Sequence, residues 1–120
     1  MTSAPEVPTL DRAVLEHLQE SLDDPDGDFI LSLAQVFEGQ AAELMTEISS
    51  AADEGDLTRL RQTAHSLKGS SATLGGTRLA GICQELEHWE GPASNVPSKV
   101  AELRAELTGF QSELRGFLTR

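Results

Sequence analysis

The sequence predicts an all-α protein: an antiparallel up-down four-helix bundle with an additional N-terminal lid helix. Three observations lead there. Every long segment repeats its apolar residues at three-four spacing, none shows the sustained alternation of a strand, and the breaks between segments are short enough to make sequential helices antiparallel neighbours. Residues 1–8 carry two prolines and few apolar side chains and read as a flexible tail; residues 9–120 form the bundle domain. Thr9 is positioned to cap a first helix over 10–22, with Leu10, Val14, Leu18 and Leu22 on one stripe. The segment DDPDG at 23–27 is a turn. A second helix over about 28–53 places Phe29, Leu33, Phe37, Leu44 and Ile48 on its buried face, joined by Ile30, Val36 and Ala41. Gly55 ends it, and Asp56 caps a third helix over about 57–74 whose inner stripe is Leu57, Leu60, Ala64, Leu67, Ser71 and Leu74. Gly75 and Gly76 break the chain before a fourth helix, about 77–90, that buries Leu79, Ile82, Cys83, Leu86 and Trp89. After a loop at 91–97, a fifth helix over about 98–118 carries Val100, Leu103, Leu107, Phe110, Leu114 and Phe117 at bundle spacing.

Composition narrows the function classes. At 120 residues, with 38% apolar and 24% charged residues, the chain has room for one globular core. No stretch approaches the length of a bilayer span, and MTSAPEVPTL lacks the basic start and apolar run of a secretory signal. A single cysteine, Cys83, excludes an internal disulfide and fits a cytoplasmic setting; its place on the buried stripe of the fourth helix marks it as core rather than nucleophile. A net charge of −11 argues against nucleic acid and anionic membrane as partners. The charge is unevenly spread. Residues 1–58 hold 14 acids and only Arg12 as a base, whereas 59–120 hold six acids and eight bases. Within 59–78 there are four bases, Arg59, Arg61, Lys68 and Arg78, and no acid, which points to this stretch as the place where an anion is handled.

One step from Ala64 on a helix is about 100° away from the core line, and that residue is His65. Arg61, Lys68, Gly69 and Ala72 share its outward face. An isolated surface histidine is usually only a solvated side chain; the coincidence of His, Lys and Gly at zero, three and four in an acid-free stretch is what singles this one out. An imidazole with an ordinary pKa of roughly 6.5 is largely neutral at pH 7 and offers a ring nitrogen as nucleophile. If it accepts a phosphoryl group, Lys68 can offset charge on the phosphoryl oxygens and Gly69 leaves room for a docking partner. A Glu85–His88 pair supplies only half of a bundle di-metal motif, since Gln62 stands three before His65, so no metal site is expected.

The string Ala64-His65-Ser66-Leu67-Lys68-Gly69-Ser70-Ser71-Ala72-Thr73-Leu74-Gly75, followed by Leu79, Cys83, Leu86 and Glu87, closely resembles the histidine-containing phosphotransfer (HPt) domain of bacterial and fungal phosphorelays. The resemblance implies that His65 is the phosphoacceptor, through Nε2, that Lys68 stabilises the phosphoryl group, and that Gly69 provides steric access. Relatives carry Gln or Glu where Glu87 stands, which would orient the imidazole through its other nitrogen. The implied function is that of a phosphocarrier rather than a stand-alone enzyme. It would accept phosphate from a receiver-domain aspartate or a sensor or hybrid histidine kinase and pass it to a response-regulator receiver. The family precedent implies no cofactor of its own, the Mg²⁺ being expected on the partner receiver, and monomer is the default state. Two other readings stand beside it: the phosphoacceptor domain of a chemotaxis-type kinase, and an acidic helical adaptor without phosphate chemistry.

Overall fold

The computed structural model describes residues 7–119. Its helices are α1 (Arg12–Ser21), α2 (Asp28–Glu54), α3 (Leu57–Thr73), α4 (Thr77–Glu87) and α5 (Val96–Leu118), with a 3-10 turn at Ala93–Asn95; no strand occurs among the described residues. α2 packs on α3, α3 on α4, α4 on α5, and α5 returns to α2, so these four close a ring around the core. Only residues 55–56 separate α2 from α3 and 74–76 separate α3 from α4, and connections this short reverse the chain. The bundle expected from periodicity is therefore the bundle observed. Fully buried Leu60 and Leu67 of α3 share its core with Leu79 and Leu86 of α4 and Leu103, Phe110 and Leu114 of α5. Phe37 meets Phe110 edge-on, with ring centroids 5.5 Å apart. All six expected core positions of α5 are buried, as are Leu79, Ile82, Cys83 and Leu86 of α4.

The inner face of α2 differs from the expected one. It is formed by Ile30, Ala34, Phe37, Ala41, Met45, Ile48 and Ala51. Phe29 is 53% and Val36 67% exposed, while Leu33 and Leu44 are half-buried. α2 carries two adjacent apolar rows, and the bundle selects the row containing three alanines, whose small side chains let neighbouring helices approach closely. Its first turn is capped from a distance. The carboxylate of Asp24, itself buried, accepts from the backbone N–H groups of Phe29 at 3.2 Å and Ile30 at 3.0 Å. Asp56 caps α3 as expected, accepting from the Arg59 N–H at 3.1 Å.

The lid helix also departs from its expected register. Asp11, not Thr9, caps α1, accepting from the Ala13 N–H at 3.1 Å. Leu15 is its fully buried residue; Leu10 is buried just before the helix, Val14 and Leu18 are half-buried, and Leu22 is exposed. The lid is seated by a backbone bond from Asp11 N–H to the Gly75 carbonyl at 2.7 Å. Gly75 has φ +84°, and a Cβ there would stand 2.7 Å from the Asp11 carbonyl oxygen, so the α3–α4 turn and the lid both require glycine at this position. Of the expected tail, residues 1–6 lie outside the described residues, and the Val7 carbonyl accepts from Arg78 Nε at 3.0 Å.

The fourth helix ends earlier than expected, at Glu87, with His88 as its C-cap. Trp89 therefore lies beyond the helix, half-buried against the core, and donates from Nε1 to the Pro92 carbonyl at 3.3 Å. The expected loop 91–97 is shorter, because buried Val96 opens α5 and Pro97 is accommodated in its first turn, where a missing N–H costs no intrahelical bond.

Candidate functional site

Leu60, Ala64, Leu67 and Ser71 bury one face of α3 and thereby fix what the opposite face shows to solvent. Ser71 is fully buried, and its hydroxyl is satisfied by donation to the Leu67 carbonyl at 2.7 Å. His65 stands on the outer face with 66% of its side chain exposed. Among the described residues, the ring is held at its Nδ1 end. Its Nδ1 lies 2.9 Å from Oε2 of Glu87, at the last turn of α4. Glu87 is only 18% exposed, and Lys68 Nζ lies 2.5 Å from its Oε1. That contact is a short, charge-assisted ion pair. The Lys68 ammonium, followed by the His65 contact, holds the Glu87 carboxyl below the ordinary glutamate range against the opposing effect of burial. An ionised carboxylate only accepts, so Nδ1 carries the proton and the lone pair of the neutral ring sits on Nε2, the far nitrogen.

The structure thus unites His65, Lys68 and Glu87 in one cluster and places Gly69 beside it on the outer face of α3. A Cβ at Gly69 would meet nothing within 4 Å, so the fold does not demand glycine there. The same holds at Gly39, Gly81, Gly109 and Gly116; what distinguishes Gly69 is its place one turn from the ring.

The cationic stretch 59–78 is not the single anion surface that its charge suggested. Arg59 gathers Glu47, Glu54 and Asp56 at the α2–α3 corner. Arg78 binds the Val7 carbonyl and faces Glu106. Arg61 donates to the Trp89 carbonyl at 2.9 Å, which ties the loop after α4 to α3. Two of the four bases therefore stabilise packing far from His65, and the chain keeps acids out of this stretch partly because the acids lie on its neighbours. Glu85 and His88 do not share a site either: Glu85 pairs with Lys99 at 2.6 Å, whereas His88 Nε2 lies 3.9 Å from Glu87 Oε2. Cys83 is fully buried, and burial pushes its thiol up to about 12, as a core residue would be.

Sequence reasoning weighs His88 as the partner of Glu85; the structure makes it the C-cap of α4, with Nε2 3.9 Å from Glu87 Oε2. The outward row of α2 was missed. Phe29 and Val36, exposed on either side of half-buried Leu33, are expected in the core from spacing alone. Leu33 and Val36 line a shallow cleft between α2 and α3 together with Gln40, Ser70 and Thr73, and the Ser70 hydroxyl donates to Gln40 Oε1 at 3.1 Å across it.

A helical bundle that projects a histidine beside a lysine and a glycine defines a class, the histidine-containing phosphotransfer domain. The family model of the Hpt domain matches residues 32–113, and the chain belongs to that family. The chain is similar to histidine-containing phosphotransfer protein B of Pseudomonas aeruginosa PAO1. It shows 30% identity to that crystal structure and a TM-score of 0.81, covering 96% of this chain and 98% of that one. It is 31% identical over 80 residues to multistep phosphorelay regulator 1 of Schizosaccharomyces pombe, spanning 67% of this chain and 27% of that protein. It is 39% identical over 69 residues to the phosphorelay intermediate protein YPD1 of Saccharomyces cerevisiae, spanning 57% of this chain and 41% of that protein. The chain therefore covers less than half the length of these curated relatives. Among the described residues no helix is long and apolar enough to cross a membrane.

Proposed function

We propose that this Hpt domain is a phosphocarrier of a phosphorelay, with His65 Nε2 as the atom that takes and gives the phosphoryl group. The observation that carries the reading is the one-sided hold on the ring: Glu87 occupies Nδ1 and leaves an exposed nucleophilic nitrogen on a rigid helix. The Nε2 lone pair attacks phosphorus in line with the bond to the donor oxygen, and the donor carboxylate leaves with that bond's electron pair. Lys68, one turn after His65 on α3, would offset charge on the phosphoryl oxygens. Gly69 keeps the approach open. Receiver domains of response regulators, and a sensor or hybrid histidine kinase upstream, are the proposed partners. The receiver would supply the acidic pocket and Mg²⁺, so the chain itself would serve as phosphocarrier rather than enzyme. The exposed Phe29 and Val36, beside half-buried Leu33, offer apolar contact area to such a partner.

Incubation with a phosphorylated receiver domain tests the reading. Wild-type protein takes up phosphate that is acid-labile and alkali-stable, and His65→Gln takes up none. Equal uptake by His65→Gln, or uptake by neither, overturns it.

A further inference from the structure

Resting on the proposed role of His65, we infer that Glu87 keeps the Nδ1 proton on the ring after the phosphoryl group has arrived on Nε2, and so keeps the P–N bond easy to break. One carboxylate stands between two basic groups, 2.9 Å from Nδ1 and 2.5 Å from the Lys68 ammonium, at a position where water has little access. Forward transfer forms the P–N bond from the Nε2 lone pair and leaves the ring with one positive charge, because Nδ1 has not lost its proton. Return transfer gives the P–N electron pair back to Nε2 and releases a neutral imidazole. If Nδ1 had lost its proton, the ring would have to depart as an imidazolate, a far poorer leaving group. A full negative charge on the Nδ1 side favours the cationic ring, which an amide accepting the same hydrogen bond would do much less.

Lys68 completes the device. Its ammonium faces Glu87 Oε1 at 2.5 Å, and an incoming phosphoryl dianion competes with that carboxylate for it. Glu87 then keeps its charge for the ring alone. The other charged and titratable groups here do not replace it. Arg61, on the same helix as the ring, is engaged with the Trp89 carbonyl, and His88 reaches Glu87 only at 3.9 Å. Cys83 nearby is a buried neutral thiol.

The test uses ¹⁵N-labelled whole chain phosphorylated with potassium phosphoramidate, which needs no partner protein. At pH 8, long-range ¹H–¹⁵N spectra of the phosphorylated wild type show His65 Nδ1 still protonated. In Glu87→Gln that proton is lost, and the phosphohistidine half-life at pH 8 becomes about tenfold longer. An unprotonated Nδ1 in the phosphorylated wild type overturns the inference without recourse to any variant. Equal half-lives in a folded Glu87→Gln overturn it as well. If no phosphate reaches His65, the phosphocarrier reading falls and this inference with it; if His65 is phosphorylated but Nδ1 is bare, only this inference falls.

Discussion

At the scale of single residues, the site depends on a division of labour between the two nitrogens of one ring. Glu87 engages Nδ1, and the far nitrogen is the one proposed to carry the phosphoryl group. Lys68, the ion-pair partner of Glu87, is the group whose removal tests electrostatic assistance. We expect Lys68→Ala to slow phosphotransfer from a phosphorylated receiver by roughly tenfold or more, measured under conditions where the urea midpoint shows the variant to be folded. A rate equal to wild type would remove Lys68 from the mechanism. Cys83 gives the opposite kind of expectation. Its buried thiol should resist a chromogenic thiol reagent in the native protein at pH 8 and react fully in denaturant. Fast native-state reaction would show that the α4 stripe opens.

At the scale of elements, two glycines of the same segment should respond with opposite sign. Gly69→Ala places a methyl group in open space on a helix and should raise stability by about 0.5–1 kcal/mol. The same change should reduce transfer to a receiver if the open face is the docking face. Gly75→Ala combines a left-handed backbone with a clash against the Asp11 carbonyl and should cost about 1–3 kcal/mol. Urea titration of both variants checks the pair. Much of this scale was legible beforehand. The Asp56 cap, the inner stripe of α3 and the whole of the α5 stripe follow from spacing and residue type, because on those helices only one row is apolar. On α2 two rows are apolar, so spacing alone could not say which faces inward. The short lid had too few turns for its register to be read, and its cap was fixed by the pairing of Asp11 with Gly75 across the fold.

For the whole molecule, the acidic first half and basic second half are a consequence of packing as much as of function. Arg59 joins α3 to acids of α2 and the turn, and Arg115 joins α5 to Glu38. These contacts give stability a pH dependence. The carboxyl of Glu54 is held below its ordinary value of 4.5 chiefly by Arg59, and that of Glu87 is lowered chiefly by Lys68. The unfolded chain therefore binds these protons at higher pH than the folded chain does. Their stabilisation is complete above the ordinary glutamate range and is lost as pH falls through the lowered folded values. The urea midpoint should drop between pH 6 and pH 3, and Glu54→Gln should flatten that slope. An unchanged slope in Glu54→Gln would show that the corner contacts contribute nothing measurable, as many surface pairs do.

The sequence by itself determined the helices, their order, the bundle and the outward position of His65, since each depends on residue spacing along a single segment. The tertiary structure decided what surrounds that ring. Glu87 lies 22 positions away and reaches Nδ1 only because α4 folds back on α3; Lys68 is bound to Glu87 at rest. The exposed row of α2 likewise became visible only when its neighbours had chosen the other face. Local periodicity records which residues share a face, but a contact between side chains on different helices depends on how those helices pack.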